Sequence, residues 1–112
     1  MSDCLFCKIA AGEIPSSKVY EDALCYAFDD IDPKAPTHFL VIPKQHIPSV
    51  AAVDESNSAV VAHCLAVIAK IAREKGMDSF RVVSNTGEQA GQSVFHLHFH
   101  VLSGRDMTWP PG

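Results

Sequence analysis

At 112 residues the chain has the size of one domain, which points to one core and one site. Its 47% apolar and 20% charged residues exclude a disordered chain, and its net charge of −4 leaves no basic field for nucleic acid. The longest apolar stretch, residues 59–69, is about half a membrane span and is broken by His63. No basic region or long apolar segment marks Met1-Ser2-Asp3-Cys4 as a signal peptide, so the sequence is read as a soluble, cytoplasmic protein without nucleic-acid or membrane partners. Of the four cysteines only Cys4 and Cys7 are close enough to suggest a site; Cys25 and Cys64 lie in apolar runs where a thiol fills core, and no disulfide framework is implied.

Cys4 to Gly12 reads as a short helix capped by Asp3 and ended by Gly12, with Leu5, Phe6 and Ile9 on one face. Alternating runs at 18–21 and 24–28, separated by Asp22-Ala23, predict a hairpin, and 29–36 a loop. A third strand covers 37–43 and is closed by Pro43. Apolar residues recur at helical spacing from Asn57 to Lys75, with Gly76 at the C-terminal position, giving a main helix about 28 Å long. Residues 80–85 form a fourth strand and 95–102 a fifth. The tail from Met107 is too rich in proline for regular structure, although its lone Trp109 calls for something to pack on. Short connections favour an antiparallel α+β layer fold.

In Phe95-His96-Leu97-His98-Phe99-His100-Val101-Leu102 the histidines alternate with apolar residues, so a strand would place all three imidazoles on one face. Two neighbours could share a metal, but three in a flat row converge poorly, which makes a metal hydrolase the second choice. The first is an oxyanion lying along the row, with one neutral imidazole as nucleophile and others donating hydrogen bonds. The preceding loop supplies Asn85, Gln92 and Ser93, and its glycines Gly87 and Gly91 would let backbone amides approach a phosphate.

His96 to Leu102 resembles the signature of the histidine triad (HIT) family. Ala35 to Lys44, Gly91 to Phe95 and Trp109-Pro110-Pro111-Gly112 are similar to its nucleoside phosphoramidase (Hint) branch, and the resemblance covers nearly the whole chain. It implies one domain over 1–112, a five-stranded antiparallel sheet with a short N-terminal and a long helix, and a homodimer across which the sheet continues. The tail, 103–112, would lie near the partner subunit's site. The implied activity is hydrolysis of purine nucleoside 5′-phosphoramidates, with AMP, GMP and their phosphoramidates as ligands. His98 would attack the α-phosphorus, His100 and Ser93 would contact the phosphate, and His38 would support His98. Asp30 would hold the ribose, with Leu5, Phe6, Ile9, Phe28 and Ile31 around the purine; on residue type alone Ile9 is equally core, and Asp30 equally a turn residue. Asn85, Gly91, Gln92 and Trp109 complete the expected substrate contacts.

Similar members bind zinc through a Cys-x-x-Cys pair and two histidines, here Cys4, Cys7, His46 and His96. Two thiolates and two imidazoles form a closed set suited to a structural zinc, and catalysis needs no cofactor. Two free thiols are the alternative; a redox pair is less favoured without a βαβ pattern. A zinc-bound His96 would leave His98 and His100 as the reactive pair, and His63 is read as a packing or surface residue. Competing functions are a non-catalytic purine-nucleotide sensor and a dinucleoside polyphosphate hydrolase.

Overall fold

The computed structural model describes residues 3–112. Met1 and Ser2, the start of the N-terminus read above for a signal peptide, lie outside the described residues. The elements are α1 (Leu5–Ala10), β1 (Lys18–Glu21), β2 (Cys25–Asp29), β3 (Thr37–Pro43), α2 (Ser58–Lys75), β4 (Phe80–Val83) and β5 (Phe99–Ser103), with single 3-10 turns at Val50–Ala52 and Glu88–Ala90. The strands form one antiparallel sheet in the order β1-β2-β3-β5-β4, the α+β architecture expected. No described helix is long and apolar enough to cross a membrane.

Alternation along the strands divides the core in two. Cys25, Ala27, Phe39, Val41, Phe99 and Val101 meet Val60, Cys64, Val67, Ile68 and Ile71 of α2 on one face. Tyr26, Phe28, Leu40 and Ile42 meet Phe6 and Ile9 of α1 on the other. Each of the larger aliphatic and phenylalanine side chains contributes about 2 kcal/mol by leaving water. Burial on both faces explains why β3 is an unbroken apolar run. The 18 residues of α2 seal their face, whereas the six of α1 cover only part of theirs and leave room for a pocket.

Local chemistry sets the element ends. Cys4, not Asp3, caps α1, its Sγ accepting from the Cys7 amide at 3.3 Å, because the helix starts one residue later than expected. Asp22 Oδ1 accepts from the amides of Leu24 and Cys25, both at 2.8 Å, so β2 begins at Cys25 and Leu24 belongs to the turn. Asp22 Oδ2 accepts from Tyr20 Oη at 2.8 Å and meets His63 Nε2 of α2 at 2.6 Å. Burial raises the Asp22 carboxyl, but these hydrogen bonds outweigh it and hold the group well below the usual carboxylate range. His63 is thus a link between helix and hairpin.

Three further departures lie later in the chain. β4 ends at Val83, leaving Asn85 in a loop; β5 starts only at Phe99, so Phe95 to His98 lie outside it; and Trp109 is 82% exposed, packing on little within its own chain. Phe95, expected on the packed face, is half exposed.

Gly76 ends α2 at φ +67°, and Gly104 follows β5 at φ +99°. A Cβ on Gly76 would meet nothing, but one on Gly104 would lie 2.9 Å from Pro36 Cβ, beside the start of β3. We expect Gly76→Ala to cost about 1 kcal/mol in urea unfolding. Gly104→Ala should cost clearly more; equal midpoints would contradict the Pro36 contact.

Candidate active site

A cavity of about 410 Å³ opens on the α1 face of the sheet, lined by Leu5, Phe6, Ile9, Phe28, Asp30, Ile31, Leu40, Asn85, Gly91, Ser93, Val94, His98 and His100. Apolar side chains from α1, β2 and β3 thus share one pocket with two imidazoles, a carboxylate and neutral polar groups, the composition of a small-molecule site.

The three histidines do not form a row on one strand face. Only His100 lies in β5. Before it the chain leaves the ladder, and a single backbone bond, Leu97 N to Ile47 O at 2.6 Å, ties it to the segment after β3. This lets His96 turn inward, where it is fully buried and lines no part of the pocket. His98 and His100 face the pocket with ring centroids 5.1 Å apart, and Phe6 packs on His98 with the two rings nearly perpendicular and their centroids 5.0 Å apart.

Backbone groups fix which ring nitrogen of each carries the proton. His98 Nδ1 lies 2.6 Å from the His96 carbonyl, which only accepts, so Nδ1 is the protonated nitrogen and Nε2 keeps its lone pair. Among the described residues no buried side-chain nitrogen or oxygen lacks a partner, and His98 Nε2 bonds to nothing in the protein, so it is open to the pocket. The Ser84 hydroxyl holds the His98 carbonyl at 2.8 Å.

His100 receives the opposite assignment. The Lys34 amide donates to His38 Nδ1 at 3.0 Å, which makes His38 Nε2 a donor; that N–H meets His100 Nδ1 at 3.0 Å. His100 Nδ1 therefore accepts, and its Nε2 carries the proton. His38 thus supports His100 and not His98, because β3 pairs directly with β5, where His100 lies, while His98 precedes that strand. Asp30 Oδ2 stands 3.4 Å from His38 Nε2 and 3.7 Å from His100 Nδ1, and its other oxygen accepts from the Asp32 amide. One pocket histidine presents a lone pair and the other an N–H, the pair needed for attack on a phosphorus centre and stabilisation of its oxygens.

The remaining triad member joins a second cluster. The donor atoms of Cys4, Cys7, His46 and His96 all lie within 4.8 Å of one another. His96 Nδ1 is 3.3 Å from Cys4 Sγ and 3.4 Å from Cys7 Sγ, and His46 Nδ1 is 3.4 Å from Cys7 Sγ. His96 Nε2 donates to the Pro43 carbonyl at 2.8 Å, which leaves Nδ1 unprotonated and aimed at the sulfurs. Tetrahedral zinc with ordinary bond lengths needs sulfur and nitrogen donors about 3.6 Å apart, so the set fits such a metal, second-sphere hydrogen bond included. Burial, with the neighbouring Cys4, pushes the Cys7 thiol up to about 11.

Two expected substrate contacts, Gln92 and Trp109, are placed elsewhere, and Gly91 borders the pocket without offering its amide. Gln92 is buried: its Oε1 accepts from the Gly87 amide and its Nε2 donates to the carbonyls of Pro48 and Val94, so it braces the loop from inside. The amides of Gly87 and Gly91 bond to Gln92 Oε1 and Glu88 O, and they do not point at a ligand as the glycine pattern suggested. Trp109 lines none of the pocket. Ser93 is exposed and borders both this pocket and a neighbouring opening lined by Asp3, Cys4, His46 and Phe95.

A family model described as HIT domain matches residues 11–107. The chain belongs to the HIT family. An uncharacterised HIT-like protein of Synechocystis sp. is 47% identical over 98% of this chain and 97% of its own length. The crystal structure of a HIT family hydrolase from Legionella pneumophila Philadelphia 1 superposes with TM-score 0.95 at 48% identity, covering 98% of this chain and all of that one. A histidine triad protein from Clostridium difficile gives 0.93 at 50% identity over 96% of each chain.

Two pocket residues of this HIT protein, Leu40 and Val94, were not foreseen. Leu40 shares the β3 face of His38 by alternation, a signal in plain view; Val94 had only its place beside Ser93.

Burial keeps His38, His98 and His100 below their ordinary value, His100 down to about 4 with help from the adjacent His98 and His38. The unfolded chain takes up these protons near the ordinary histidine value of 6.5. Stability is therefore full above that pH and is lost as pH falls toward the folded values. Urea midpoints should hold between pH 8 and 7 and drop between about 6.5 and 4, less steeply in His100→Asn; a flat profile would refute buried neutral imidazoles.

Proposed function

We propose that this HIT protein, as a member of the Hint branch, hydrolyses the P–N bond of purine nucleoside 5′-phosphoramidates. The observation that carries the reading is the His98 Nδ1–His96 carbonyl bond, which holds a neutral imidazole with its Nε2 lone pair open to the pocket. His98 Nε2 attacks the α-phosphorus as the P–N bond breaks and the departing nitrogen takes a proton from solvent, giving a nucleotidyl-histidine and a free amine; that proton is returned when water later cleaves the intermediate. Water then cleaves that bond, yielding AMP or GMP and regenerating neutral His98. His100 Nε2–H donates to a phosphate oxygen as charge builds on it. Ser93, free of protein hydrogen bonds among the described residues, meets the departing nitrogen. Asp30 takes the ribose hydroxyls, with Leu5, Phe6, Ile9, Phe28 and Ile31 enclosing the purine and Asn85 and Gly91 bordering the phosphate end.

The test is AMP release from adenosine 5′-phosphoramidate at neutral pH. His98→Ala should lose on the order of 10³-fold in kcat/KM. A folded protein that binds AMP without turning the phosphoramidate over would instead be a nucleotide sensor, and one that cleaves only dinucleoside polyphosphates would belong to a different branch.

In the same reading Cys4, Cys7, His46 and His96 hold a structural zinc. Four protein donors leave no open position for substrate, so the metal's contribution is to pin α1 to the segment ahead of β5. Metal analysis should return one zinc per chain. A chelator should lower Tm while turnover measured below that Tm persists; turnover lost with the fold intact would make the metal catalytic.

The proposed homodimer has its support in β4, an edge strand with Phe80 and Val82 about 40% exposed, and in the uncovered Trp109. Pairing through β4 would extend the sheet and bring the tail toward the partner subunit's pocket. Deleting residues 107–112 should then change preference among leaving amines more than affinity for AMP; unchanged selectivity would count against that placement.

A further inference from the structure

Cys25 of β2 and Cys64 of α2 are both fully buried in the core between helix and sheet, away from the pocket. Their Sγ atoms lie 2.9 Å apart, although 39 residues separate them in sequence. That is closer than packing alone requires and about 0.9 Å beyond a disulfide bond. Their surroundings are held as well: Asp22 Oδ1 fixes the Cys25 amide while Oδ2 holds His63, the residue before Cys64. One carboxylate thus ties the Cys25 amide to the side chain of the residue preceding Cys64.

We infer that Cys25 and Cys64 are an oxidation site, a dithiol that a small hydroperoxide converts to a disulfide stapling α2 to the sheet. One thiol gives up its proton, and the thiolate attacks an oxygen of hydrogen peroxide, breaking the O–O bond to form a sulfenic acid and hydroxide, which takes that proton and leaves as water. The second attacks that sulfur, forms the S–S bond and releases a second water, so two thiols lose two electrons and the peroxide gains them. The resting pair is slow to react. The hydrogen bond to Cys25, together with burial, pushes the Cys64 thiol far up and keeps it protonated, and neither sulfur meets solvent until the helix opens locally. Hence the dithiol persists in a reducing compartment and closes under sustained oxidation.

The experiment treats the native, full-length protein with hydrogen peroxide, alkylates remaining thiols in denaturant and digests with trypsin without reduction. Cleavage separates the cysteines into peptides 1–8, 19–34 and 45–70. The expected result is a mass loss of about 2 Da with 19–34 joined to 45–70, reversed by a dithiol reductant. Closing so long a loop should raise Tm by roughly 10 °C, an increase absent in Cys64→Ala. Cys25 and Cys64 recovered as separately alkylated thiols, linkage of either to 1–8, or a cross-link that forms only in denaturant would each overturn the site. A native cross-link without a rise in Tm would overturn the staple. None of these readouts involves turnover, so they stand or fall apart from the phosphoramidase reading.

Discussion

The hydrogen bond from His96 Nε2 to the Pro43 carbonyl, 2.8 Å long and sealed from solvent, organises both polar clusters of the molecule. It settles the tautomer of His96 and so turns Nδ1 toward Cys4 and Cys7. It also anchors the backbone at residue 96, whose carbonyl in turn holds His98 Nδ1. A buried neutral imidazole has one donor and one acceptor, and committing one decides the other. The acceptor comes from the end of β3, where a proline closes the strand but leaves its carbonyl available.

The two sheet faces have divided the labour. On the α2 side nothing but packing is asked of the residues, and the long helix supplies it. On the α1 side a short helix leaves a cavity against Phe28 and Leu40, so buried apolar side chains of the sheet also serve as pocket wall. Phe6 serves both purposes, its ring steeply inclined to Phe28 in the core and nearly perpendicular to His98 in the site.

Much of this was legible in the sequence because it rests on periodicity. Alternation in 37–43 and helical spacing in 57–75 mark β3 and α2, and the two glycine stops fall where backbone geometry requires them. Residue type and family resemblance together marked the pocket, and His98, His100, Asp30 and Ser93 do converge there. What could not be read was direction. An alternating His-apolar run predicts a strand, yet Phe95 to His98 leave the ladder because His96 is drawn inward to the sulfurs and to Pro43. Likewise a glycine-rich polar loop looks like a phosphate cradle until its hydrogen bonds are traced and found closed among Gly87, Glu88, Gly91 and Gln92. Such choices depend on partners distant in the chain, about which local pattern is silent.

The bracing of that loop by Gln92 reaches beyond local order. A segment cross-tied through one side chain to Gly87, Pro48 and Val94 has little freedom to fold down over a visitor. The wall it forms is a mould cast in advance, and a ligand gains on that side by matching its contour.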